Sequence, residues 1–117
     1  MPPTLADRLT HILAAIGTIQ ELLATKTRED FAADLPLRLA VERALEIICE
    51  ASRRIPANIK ERETAIDWQR TVDFGNLLRH AYHRVDPQVV FEIARRDLPP
   101  LKAFAERIIA EEGDRQE

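Results

Sequence analysis

The sequence predicts an all-α fold: an antiparallel up-and-down four-helix bundle with a short extra helix. Three observations carry this. Apolar residues recur at steps of three and four along most of the chain, the period of an amphipathic helix. Glycine is scarce, with only Gly17, Gly75 and Gly113 to punctuate the chain. No run alternates apolar and polar residues as a half-buried strand would. At 117 residues the chain suits one compact domain, expected to span residues 1–117 with a frayed tail at 111–117.

Thr4-Leu5-Ala6-Asp7 has the form of a capping box, with Asp in place of Glu. Leu5, Leu9, Ile12, Leu13, Ile16, Ile19 and Leu23 then mark one face, so a first helix runs over about 5–24. "TKTRED" is a polar connection in which Thr27 can cap a short turn through Phe31. Asp34 can cap a second helix, with Pro36 tolerated in its first turn, where the missing N–H has no partner to lose. Leu37, Val41, Ala44, Leu45, Ile48, Ala51 and Ile55 form its stripe, and Ile55-Pro56 stops it. Residues 57–66 read as a polar connector with one helical turn. Asp67 can cap a third long helix from Trp68, with Val72, Leu77 and Leu78 apolar. Asp86-Pro87 pairs a cap with a first-turn proline and opens a further helix, offering Val89, Val90 and Ile93 to the core. "DLPPL" breaks the chain, and a last helix covers about 100–112, with Leu101, Phe104, Ile108 and Ile109 inward and Gly113 as its stop. Leu45, Ile48 and Leu77 are expected core positions.

Composition narrows the function. The net charge of −3 excludes polyanion binding by bulk attraction, so a nucleic-acid contact needs a local basic patch. Cys49 is the only cysteine, which excludes an internal disulfide and a zinc knuckle. Following Ile47-Ile48, it reads as a small buried hydrophobe. "MPPTLADR" has no apolar signal core and no run reaches membrane-spanning length. A soluble cytoplasmic protein without a membrane partner is expected.

The chemistry concentrates in 75–87, "GNLLRHAYHRVDP", which holds two of three histidines and the only tyrosine. On one continuous helix, Asn76, His80 and His83 or Arg84 share a face, and Arg79 and His83 are four apart. Imidazole titrates near neutral pH, so His80 could move a proton. Arg79 could hold a phosphate and stabilise charge developing on it. Asn76 could orient either group or the substrate. Together they fit metal-independent RNA cleavage, in which a 2′-hydroxyl attacks the adjacent phosphate. A basic helix C-terminus is also what the macrodipole alone favours. His80 and His83 could be half of a metal site, with Asp86 the nearest further ligand, but no metal and no cofactor are expected. His11 reads as a surface or boundary residue, Trp68 and Phe74 as packing residues, and Arg95-Arg96 as a solvated face or dimer rim rather than a nucleic-acid patch, though the pair could extend one.

The chain resembles the HepT-type toxins of the HEPN superfamily. "LADRLTHILAAIGTIQELL" looks like that family's first helix, and "RALEIICEASRRIP" is similar to its "xxLEIIGEAxxxLP" segment, with Cys49 where glycine is usual. "IDWQRTVDFGNLLRHAYHRVDPQVVFEIARRDLPPLKAF" looks like "IPWxxIxxxRNxLxHxYxxVDxxxVWxIxxxDLPxLxxx". The family motif is Arg, four residues, His, one residue, Tyr. His80 and Tyr82 match it, and Asn76 matches the Asn after the Arg; Gly75 stands where the Arg would be. The resemblance implies a HEPN-like homodimer whose two motif helices line a shared cleft. It implies a ribonuclease toxin of a type VII-like toxin–antitoxin pair, with an RNA substrate. Its partner would be a minimal nucleotidyltransferase (MNT-type) antitoxin that transfers AMP to Tyr82. His80, Arg79 and Asn76 are then the expected catalytic residues, with His83 and Arg84 as further phosphate contacts. Arg70 or an arginine of a second subunit are the other candidates for the missing cation. The alternative is a catalytically weakened dimer that serves as partner or substrate of the nucleotidyltransferase, and a third reading is a dimer of structural role only.

Overall fold

The structure, a computed structural model, describes residues 2–116, except for the side chains of Tyr82, Asp114, Arg115 and Gln116. Its elements are α1 (Leu5–Leu23), α2 (Arg28–Ala33), α3 (Leu35–Arg53), α4 (Ala57–Lys60), α5 (Trp68–His80), a 3-10 turn (Tyr82–Arg84), α6 (Pro87–Arg96) and α7 (Leu98–Gln116). Among the described residues there is no strand. The all-α expectation holds.

Local chemistry sets the helix starts. Thr4 and Asp7 close the capping box reciprocally, at 2.9 and 3.1 Å, and Thr27 with Asp30 does the same for α2. Two orphan N–H groups are satisfied at each. The backbone hydrogen bonds hold the Asp7 and Asp30 carboxyls below their ordinary range, with the Thr hydroxyls adding to the effect. Asp34, Asp67 and Asp86 cap α3, α5 and α6 by accepting from the N–H groups of Leu37, Arg70 and Gln88.

In packing, α1 lies against both α3 and α7, and α3 also carries α5. Leu9, Ile12, Ile16 and Ile19 of α1, Val41, Leu45 and Ile48 of α3, and Phe104 and Ile108 of α7 are buried almost completely. Burying one such side chain fully contributes about 1.5–3 kcal/mol. Phe31 of α2 meets Phe91 of α6 with ring centroids 5.7 Å apart. Trp68, at the start of α5, meets Phe104 of α7 edge-on at 5.2 Å and donates its indole N–H to the Lys60 carbonyl. Trp68 and Phe74 are therefore packing residues, and His11 is exposed.

The structure corrects several expectations. Leu77 is 40 % exposed and not a core residue. Gly75 and Leu78 are the residues α5 buries, and Leu77 lies about 100° around the helix from Leu78. Val89 is 47 % exposed for the same reason, its neighbour Val90 taking the inward direction. The helix α7 begins at Leu98, directly after Asp97, with Pro99 and Pro100 in a first turn that has no N–H bond to lose. Gly113 does not stop it: the helix continues to Gln116, and no glycine takes a positive φ. Glu117 lies outside the described residues. The turn expected at Thr27 is a six-residue helix.

Candidate functional site

The sequence-predicted residues converge on the last turn of α5. Asn76, Arg79 and His80 stand at i, i+3 and i+4, so they share one face, and all three are exposed. Arg79 and His80 complement the negative helix end.

The helix stops one residue later. Ala81 makes the last helical bond, donating to the Leu77 carbonyl at 2.8 Å, then leaves helical geometry at φ −143° and ψ 37°. Arg84 N–H returns to the Ala81 carbonyl at 2.8 Å and closes the 3-10 turn. Val85 is buried beyond it, and Asp86 is held extended ahead of Pro87. Consequently His83 and Arg84 are not on the α5 face with Asn76 and His80, as a continuous helix would have placed them. They are exposed in the following turn. The Tyr82 side chain lies outside the described residues; its backbone opens that turn.

Behind this end, α5 rests on α3 at a very close approach. Gly75 is buried against Cys49, and a Cβ built at position 75 would lie 2.7 Å from the Cys49 Cβ and 3.4 Å from its Sγ. Cys49 is buried as expected, and desolvation pushes its thiol up to about 12. One residue further along α3, Glu50 Oε2 receives Arg79 Nη2 at 3.6 Å. The same carboxylate pairs with Arg54 at 3.3 Å and Arg53 at 3.8 Å. Three guanidinium groups around one carboxylate leave a local excess of positive charge on an acidic protein. Sequence reading missed Glu50, Arg53 and Arg54; the Glu50–Arg54 spacing of four was a usable signal, the partnership with Arg79 was not. Each pair is half exposed, so each is worth at most about 1 kcal/mol.

Arg70 stands elsewhere. It pairs with Asp97 at 3.3 Å, beside a cavity of about 250 Å³ floored by Ile48, Phe74 and Leu101. It lies about 140° around the helix from position 75, whereas Arg79 lies only about 40° away and one turn on. Arg95 lies over the Phe91 ring at 4.7 Å and Arg96 pairs with Glu92 at 3.7 Å, which accounts for both as packing and surface residues. Among the described residues no three His, Cys, Asp or Glu side chains are placed to share a metal ion. None of the helices described is long and apolar enough to cross a membrane.

Fold and site define a class: small all-helical proteins that present imidazole, amide and guanidinium groups at the end of one helix. The profile of the ribonuclease HepT-like family matches residues 12–108, and the chain belongs to that family. It is similar to a protein of Thermococcus cleftensis named "Probable ribonuclease HepT", with 38 % identity over 87 % of this chain and 93 % of that one. A Methanocaldococcus jannaschii protein named "Putative RNase MJ1380" is 33 % identical over 84 % of this chain and 90 % of its own. A longer protein of the same organism, named as a gamma-glutamylcyclotransferase and putative RNase, is 34 % identical over 88 % of this chain and 46 % of its own length. No solved structure matches significantly.

Proposed function

We propose that the protein is a metal-independent endoribonuclease, the toxin of a toxin–antitoxin pair, silenced when a nucleotidyltransferase antitoxin places AMP on Tyr82. The observation that carries the reading is Asn76, Arg79 and His80 on one exposed face, in a chain of a ribonuclease family. His80 takes the proton of a ribose 2′-hydroxyl. The 2′-oxygen bonds to the adjacent phosphorus and the bond from phosphorus to the 5′-oxygen breaks. The leaving oxygen takes a proton from water, and protonated His80 returns its proton to the hydroxide so formed, giving a 2′,3′-cyclic phosphate and a 5′-hydroxyl. Arg79 neutralises charge gathering on the non-bridging oxygens. Asn76 orients the phosphate, and His83 and Arg84 in the next turn hold flanking phosphates.

Two copies of the chain form the working unit, their α5 helices lining one cleft in a HEPN-like four-helix arrangement. Exposed Leu35, Leu39 and Ile47 on α3 and Leu77 on α5 support this, since large apolar side chains left in water favour association. AMP on Tyr82 adds an anion and a base to the turn that follows α5, and the added charge and bulk oppose RNA binding there. Gly75 favours a second reading, a dimer of weakened catalysis that is chiefly the nucleotidyltransferase's substrate, because it removes a cation from the motif. Co-expression with a neighbouring nucleotidyltransferase separates the readings. The toxin reading expects growth arrest by this chain alone, relief by the partner, and a mass gain of one AMP that Tyr82→Phe abolishes. Growth arrest that no nucleotidyltransferase relieves contradicts the antitoxin assignment; AMP transfer without arrest or RNA cleavage favours the second reading.

A further inference from the structure

We infer that Cys49 is a positioning residue that decides where on α5 the phosphate-binding cation stands: it closes position 75 and leaves the task to Arg79. This rests on the nuclease reading for its functional half and on packing alone for the other.

Two atoms decide the packing. A Cβ at position 75 would come within 2.7 Å of the Cys49 Cβ. Each is fixed to its own helix backbone, so no rotamer change relieves the overlap; α3 and α5 would have to separate. The closeness belongs to this contact, because a Cβ at Gly17 or Gly113 would meet nothing within 4 Å. While position 49 carries a Cβ, position 75 is shut to every side chain, arginine included.

Glu50 supplies the other half. Following Cys49 on α3, it meets Arg79 at 3.6 Å, one turn beyond Gly75 and on nearly the same side of α5. Adjacent residues of α3 thus close one position to a cation and face a cation at the next. This joins two departures from the motif pattern: a larger residue at 49, where glycine is usual, and glycine at 75, where arginine is usual. They are the two sides of a single contact.

The test is a double-mutant cycle read in two ways. Melting temperature is measured for Gly75→Ala and Gly75→Arg with Cys49 retained, with Cys49→Ala, and with Cys49→Gly. Each Gly75 substitution lowers Tm by at least about 5 °C when position 49 is Cys or Ala, and by clearly less when it is Gly. Alanine is the sharp control, since it removes the sulfur and keeps the offending carbon. RNA cleavage is then measured on an Arg79→Ala background, which itself loses about 100-fold. Adding Cys49→Gly with Gly75→Arg restores at least tenfold, and adding Gly75→Arg alone does not. Equal melting of the Gly75 variants whatever stands at 49 overturns the inference, and so does full rescue by Gly75→Arg with Cys49 in place. If the unmodified protein cuts no RNA, the nuclease reading fails, and the melting cycle alone decides the exclusion.

Discussion

Helices α1 and α5 both pack on α3, yet they use it differently. Six residues of α1 are buried, from Leu9 to Leu23, among them Ile12, Ile16 and Ile19. Only Gly75 and Leu78 of α5 are buried, and its last turn meets α3 through a half-exposed ion pair. Large interlocking side chains fix one contact; a cysteine set against a glycine fixes the other. The lesson is a division of labour. The α1 face supplies the cohesion that lets α5 sit close to the bundle by backbone proximity and keep its polar end in water.

Four substitutions probe that contrast, beginning with the deepest. Phe104→Ala, in the core that α1 and α7 share, should cost about 3–5 kcal/mol of stability, measured by denaturant unfolding. Gly75→Ala should cost about 1–3 kcal/mol through overlap with Cys49, although alanine is ordinarily the better helix former. A stabilising Gly75→Ala would show that the two helices are not in close contact. Cys49 adds a pH signature. Its thiol is raised in the folded state, so the neutral form favours folding at neutral pH. That contribution falls as pH rises from 9.0, where the thiol ordinarily ionises, towards about 12. Tm of the natural sequence should therefore drop more steeply across this window than Tm of Cys49→Ala. Equal slopes would place Cys49 in water. Leu77→Ala should change stability by less than about 0.5 kcal/mol, as an exposed position does, and a larger loss in the monomer would return Leu77 to the core.

The parts of the fold that are local in sequence were legible there. Caps need residues within three positions of each other, and Thr4, Thr27, Asp34, Asp67 and Asp86 all act as read. Facing was less legible. Leu77-Leu78 and Val89-Val90 are adjacent apolar pairs, and on a helix only one of each can point inward; the letters do not say which. The break at Ala81 carries no glycine or proline of its own; a 3-10 turn, buried Val85 and the Asp86-capped start of α6 follow it. Gly113 misled because a helix accepts glycine at about 1 kcal/mol when nothing requires a left-handed turn. At the site, the Asn76–Arg79–His80 face follows from spacing. The meetings of Gly75 with Cys49 and of Arg79 with Glu50 join residues more than two dozen positions apart and needed the structure.

The central claim is that the exposed end of α5 cuts RNA. The direct measurement is RNA cleavage in EDTA by purified protein whose intact mass excludes AMP on Tyr82, beside His80→Ala prepared identically. The prediction is cleavage by the natural sequence and a loss of about 10²–10⁴-fold in the variant, with melting temperature unchanged because His80 is exposed. Equal cleavage by both proteins, or none by either, would contradict it.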